Sequence, residues 1–153
     1  MMNLKPIGKF AALCLLTVYI LSPSSTRSQS QSPSSLTKFD GEWSVRLDCP
    51  SNTESSGAKG YIFDFTAHVK SGVIKAQHGE EGKPASLTLD GTIQDTGDAI
   101  IYAHGYTGSP EFTIKRPPKG SGYSYKIKAH FNETSGIGNR VEGRACAITF
   151  TKQ

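Results

Sequence analysis

Cys49 and Cys146 stand at opposite ends of the patterned part of the chain, and each bounds a run of alternating residues. Before the first, Trp43, Val45, Leu47 and Cys49 share one parity, and Ser44, Arg46 and Asp48 share the other. Beyond the second, Cys146, Ile148 and Phe150 alternate with small or polar residues. A period of two is the pattern of a strand with one buried face. A bond between these cysteines sets the first strand beside the last and constrains every strand between them.

A third cysteine, Cys14, lies in a segment of different character. Residues 1–30 read as an export signal: Lys5 and Lys9 precede an apolar run from Phe10 to Leu21, and Ser, Pro and Thr follow. That run is too short to span a membrane as a helix. Cys14 sits inside it, directly after Leu13, and belongs to the discarded segment. In an exported chain the two remaining cysteines are expected to pair. Closing a loop of about a hundred residues adds roughly 4–5 kcal/mol by chain entropy. Such a tie suits a domain with a limited core.

Export also alters the charge argument. The full chain has 17 basic and 13 acidic side chains, and removal of Lys5, Lys9 and Arg27 leaves 14 basic against the same 13 acidic. A net charge near +1 gives no ground for a nucleic-acid partner or a bound membrane surface. The compartment implied is the bacterial periplasm or the medium, with no stable membrane insertion once the signal is gone.

Residues 31–38, rich in Ser with Gln and Pro, are expected to be a flexible tether. A single domain follows over 39–153. Pro50 to Gly60 is polar and is not expected to be ordered by packing. Tyr61, Phe63, Phe65, Ala67 and Val69 alternate as a second strand. Ser71-Gly72 fits a tight hairpin turn, which pairs Lys70 with Val73, Val69 with Ile74, Ala67 with Ala76 and Phe65 with His78. Leu87, Leu89 and Ile93 mark a fourth strand. If Asp95 pairs with Asp98 across Thr96-Gly97, then Ile100, Tyr102, His104 and Tyr106 form the inward row of a fifth. Phe112 and Ile114 suggest a short sixth, and Tyr123 to Phe131 a seventh. Asn132 to Gly138 reads as a turn, and Arg140 to Thr151 as the last strand. No long window after residue 30 has a helical period. These features predict an all-β fold, an antiparallel up-and-down barrel of about eight strands, with a two-sheet sandwich as the alternative. Closure removes exposed edges.

The runs Phe39-Asp-Gly-Glu-Trp-Ser-Val45, Cys49-Pro50, Ser86-Leu-Thr-Leu-Asp-Gly91 and Gly105-Tyr-Thr-Gly108, with the ending Arg140-Val, Arg144-Ala-Cys146 and Thr149-Phe-Thr-Lys-Gln153, resemble a group of small exported β-rich proteins of soil alphaproteobacteria. The resemblance covers nearly all of the chain after the signal. It implies a bacterial, exported protein and no particular chemistry. The overall pattern is also loosely similar to small periplasmic barrels that inhibit proteases or lysozyme, without their inhibitory residues.

No catalytic motif stands in the chain, so no catalytic residue, metal ligand or cofactor is assigned and the protein is read as a non-enzyme. Asp95-Thr96-Gly97 matches the aspartic-protease triplet, but Gln94 and Asp98 replace its apolar and small flanks, and a β-turn accounts for it. His68 and His130 fall on outward rows. His78 and His104 are expected on inward rows at one barrel mouth, roughly 10 Å apart by strand spacing, with Tyr102 and Tyr106 beside them. These four residues either cap a filled core or line a pocket for a small amphipathic ligand. Two converging histidines are too few for a metal site. Lys115, Arg116 and Lys119 form a basic knot, and Lys126, Lys128, Arg140 and Arg144 are expected on an outward stripe. Two roles follow: a binding protein for an unknown small molecule, or an interaction domain, such as a hydrolase inhibitor, acting on a periplasmic protein through its loops.

Overall fold

Trp43, Val45, Leu47 and Cys49 are the buried row of β1 (Gly41–Cys49), and the polar residues between them face outward. In the computed structural model, which describes residues 36–52 and 57–153, seven further strands follow. They are β2 (Tyr61–Lys70), β3 (Val73–His78), β4 (Leu87–Ile93), β5 (Asp98–Tyr106), β6 (Gly122–Phe131), β7 (Ser135–Arg140) and β8 (Ala147–Lys152). Each pairs antiparallel with the next, and β1 closes on β8 with Val45 opposite Phe150 and Leu47 opposite Ile148. The fold is therefore a closed, eight-stranded, up-and-down barrel. A Cys49–Cys146 disulfide spans 97 residues and ties the end of β1 to the residue before β8. The expected signal, residues 1–30, and most of the expected tether lie outside the described residues.

The β2–β3 hairpin has the register that its turn dictates. Ser71 and Gly72 both take positive φ, the mirror-image turn that matches strand twist, and Lys70 stands opposite Val73. The ladder runs only from Ala67–Lys70 against Val73–Ala76. Beyond it the two strands part, and the His78 ring occupies the opening, 5.7 Å from the Phe65 ring. Phe65 and His78 thus meet through their rings, where a ladder pair was expected.

Four expectations are corrected. Phe112 and Ile114 make no strand: Pro110–Phe112 is a 3-10 turn, with the Thr113 N–H and hydroxyl both donating to the Pro110 carbonyl. The expected turn at 132–138 instead contains most of β7. Its inward row begins Gly136 and Gly138, where a β-carbon would lie 2.7 Å from the Phe131 ring and 2.8 Å from Ala129 Cβ. Glycine there makes room across the sheet. The single last strand is in fact two: β7 ends at Arg140, and β8 begins at Ala147. One lost strand and one gained strand leave the total at eight.

The fourth correction reverses the face of β5. Asp98 does not pair with Asp95. Ile93 stands opposite Ala99, and the Gln94 N–H donates to the Asp98 carbonyl at 2.8 Å. Asp95-Thr96-Gly97 lies in the resulting turn, with Gly97 at φ +93° and its carbonyl accepting from the Phe131 N–H. One residue of slip moves every side chain to the other face. Ala99, Ile101, Ala103 and Gly105 point inward. Ile100, Tyr102, His104 and Tyr106 point outward, and Tyr102 is 54% exposed.

The core is concentrated at the barrel end where β1 begins. Phe39, Trp43, Phe131 and Phe150 fill it, with Trp43 edge-on to Phe131 at 5.4 Å. Trp43 Nε1 donates to the Phe39 carbonyl at 2.9 Å. Thr37–Phe39 form a 3-10 turn, so the last residues of the expected tether cap this end rather than hang free. Lys38 Nζ reaches the Asp95 carbonyl, and Lys152 Nζ reaches the Lys38 carbonyl.

Candidate functional site

At the disulfide end the inward rows carry aromatics with less packed on top of them. Tyr61 and Phe63 come from the start of β2, His78 from the end of β3, and Tyr123 and Tyr125 from the start of β6. Tyr61, Phe63, Phe65 and Tyr123 pack against the core while staying partly exposed. A cavity of about 440 Å³ opens here, lined by Tyr61, Phe63, Tyr106, Phe112 and Tyr123, with Lys119 at its rim. A second space of about 430 Å³ shares Tyr61, Thr107, Phe112, Thr113 and Tyr123 with the first. Together they form one mouth divided by those side chains.

Two basic residues build the second half. Arg140 continues the inward row of Gly136 and Gly138. Its guanidinium lies 4.0 Å from the Tyr125 ring centre, and its Nε donates to the Glu142 carbonyl at 2.6 Å. Arg144 is buried, 4% exposed. Its Nη1 donates to the Phe112 carbonyl at 2.6 Å, and its Nη2 to the carbonyls of Cys49, Lys59 and Pro50. One side chain therefore fixes the start of the 50–60 loop, its end, and the 3-10 turn. Burial pushes the Arg144 pKa down, partly opposed by Tyr61, whose ring centre is 5.1 Å from the guanidinium.

The phenols are held protonated. Burial raises the pKa of Tyr61, Tyr123 and Tyr125, more than the nearby Arg140 lowers it. Tyr123 Oη donates to the Ser86 carbonyl at 3.1 Å. The Tyr125 hydroxyl is buried with no partner among the described residues. His78 stacks on Phe63 at 4.0 Å, with 16° between the rings, and burial lowers its pKa, so it is neutral at pH 7.

The four residues expected to line a mouth are therefore divided. His78 flanks Phe63 at the opening between β2 and β3. Tyr106 reaches the cavity from the outer face of its strand. Tyr102 and His104 lie on the outer wall, and Lys126 Nζ sits 5.9 Å from the Tyr102 ring centre. The expected basic stripe is divided too. Lys126 and Lys128 are exposed on β6, whereas Arg140 and Arg144 turn inward. Parity carried the missing signal: Arg144 shares the face of Cys146, Ile148 and Phe150, and Arg140 that of Gly136 and Gly138.

Other candidates are surface features. His130 Nδ1 meets Asp98 Oδ1 at 2.9 Å, and this contact with that from Thr96 lowers the Asp98 pKa. His68 lies 3.5 Å from Glu42. Among the described residues no three His, Cys, Asp or Glu side chains gather as a metal site, and no helix is long and apolar enough to cross a membrane. Neither a protein-family model, nor a curated protein, nor a solved structure matches the chain.

Proposed function

We propose that this is a small exported, non-catalytic binding protein, and that it holds a small amphipathic molecule in the mouth at the disulfide end. The observation that carries the reading is the unequal filling of the barrel. Four large aromatics close one end, whereas the other opens into a cavity of about 440 Å³ walled by tyrosine and phenylalanine. Concave, mostly apolar sites with a few polar groups are where small ligands bind. The loops around the mouth are tied down by Arg144, which suits a preformed wall better than a loop free to enter a partner. The disulfide is compatible with export.

Native mass spectrometry of the protein purified from its own host tests this. The expected result is a mass excess in the small-molecule range that organic solvent removes. Phe112→Ala should reduce that occupancy, and Val73→Ala, on the outer face of β3, should not. A bare polypeptide mass, together with no binding of short amphiphiles in vitro, would overturn the reading.

A further inference from the structure

Among the described residues, the second half of the mouth carries an excess of positive charge. Its walls carry Lys115, Arg140 and Arg144 against one carboxylate, Glu142. That carboxylate already accepts the Lys126 N–H at 2.9 Å. Arg144 spends its terminal nitrogens on backbone carbonyls, which carry no formal charge, and Arg140 is close enough to depress its pKa further. The terminal nitrogens of Arg140 make no hydrogen bond to any described residue. Like charges placed together without a counter-ion are unfavourable, and buried donors are normally satisfied. Among the described residues two buried side-chain polar atoms lack a partner, Arg144 Nε and Tyr125 Oη, and both residues adjoin Arg140. The other half of the mouth is apolar, faced by Phe63, Pro84, Ala85 and Phe112.

We infer that the mouth selects an anionic amphiphile, with an oxyanion head, carboxylate or phosphate, received at Arg140 and an apolar body lying against Phe63 and Phe112. This rests on the mouth being a ligand site. The guanidinium of Arg140 offers two nitrogens that no described residue engages, in a fixed plane, the arrangement that pairs with an oxyanion through two parallel bonds. Its Nε anchor on the Glu142 carbonyl and the Tyr125 ring beneath it fix that plane before a ligand arrives.

The test is calorimetric titration of the disulfide-bonded protein, purified from its own host and freed of small molecules, with octanoate, octyl phosphate and 1-octanol. At least one anion should bind at least about tenfold more tightly than the alcohol, the scale of one charge-assisted hydrogen bond. The tighter of the two anions identifies the head group. Arg140→Gln should abolish the preference while leaving octanol binding unchanged, and Arg140→Lys should restore only part of it. Lys128→Gln, on the outer wall, should change nothing. Equal affinity for all three probes, or a preference that survives Arg140→Gln, would overturn the anionic-head inference and leave the mouth as a site. Failure of all three to bind would overturn both. Far-ultraviolet circular dichroism of each variant separates loss of the head contact from loss of the barrel.

Discussion

The carbonyl of Cys49 accepts a hydrogen bond from Arg144 Nη2 at 3.2 Å, and the side chain of the same Cys49 is bonded to Cys146, two residues further along. The covalent tie and the guanidinium therefore act on one corner of the barrel. The disulfide closes the seam, and Arg144 extends that closure to the loops at Pro50, Lys59 and Phe112.

Arg144→Met should be costly for that reason. It leaves carbonyls from three segments without their donor, in a place where water has little access. The expected loss is about 3 kcal/mol or more. Hydrogen exchange checks its location. The Ala58 and Lys59 amides, bonded to the Asn52 and Glu111 carbonyls, should exchange faster. The Ala67–Lys70 ladder should keep its protection relative to global stability. Arg144→Lys should recover little, because an ammonium cannot reach acceptors spread across a planar fork.

Removal of the disulfide acts on the unfolded chain instead. The closed loop of 97 residues predicts a loss of about 4–5 kcal/mol in Cys49→Ser/Cys146→Ser, less any residual structure in the unfolded state. Urea denaturation with and without reductant measures it. The wild type in reductant should approach the double variant, and the variant itself should not respond to reductant.

Gly136→Ala tests why β7 is a strand at all. A β-carbon there falls 2.7 Å from the Phe131 ring, which also packs against Trp43 and Phe150. Overpacking at such a site costs about 1–3 kcal/mol. Gly122→Ala is the control, since its β-carbon meets nothing nearer than 4.0 Å and its φ is not in the left-handed region. It should be neutral within about 0.5 kcal/mol in the same denaturation series.

The same glycines explain which parts of the barrel were legible in the sequence. In β1 and β2 one parity is apolar and the other, Ile62 excepted, polar, so face and strand follow from the pattern alone. The Ser71-Gly72 turn then fixes the β2–β3 register. In β5 both parities are apolar: Ala99, Ile101 and Ala103 on one, Ile100, Tyr102 and Tyr106 on the other. Pattern cannot choose between such rows, and the larger residues are the outer ones because Trp43, Ile127 and Leu89 already fill the interior. The choice falls to one residue of turn length between Ile93 and Asp98, which local chemistry does not specify. In β7 the inward positions are glycines, which locally signal a turn, and their reason lies across the sheet at Phe131 and Ala129. At the site the pattern was present but not followed: Arg140 and Arg144 share the parity of Cys146, Ile148 and Phe150, and an outer stripe for them ran against it.

His78 supplies a pH dependence whose sign is fixed by burial. Its ring lies against Phe63, and desolvation lowers its pKa below the ordinary value of 6.5. The unfolded chain therefore takes up a proton at a higher pH than the folded one. Stability from this site is fully present above pH 6.5 and is lost as pH falls from there through the lower folded pKa. Charging the ring also opposes its stacking at the gap between β2 and β3, so the loss should appear locally first. Proton NMR of the His78 ring should give a midpoint under 6.5, and urea midpoints should fall between pH 7 and pH 5. His78→Phe keeps a ring on Phe63 and removes the proton, and should cancel this site's part of the slope. A slope unchanged in His78→Phe would overturn the assignment to His78, and Asp98 could not replace it, because its folded pKa is lowered by His130 and Thr96 and its contribution fades only in a lower window, as pH falls through that depressed carboxylate value.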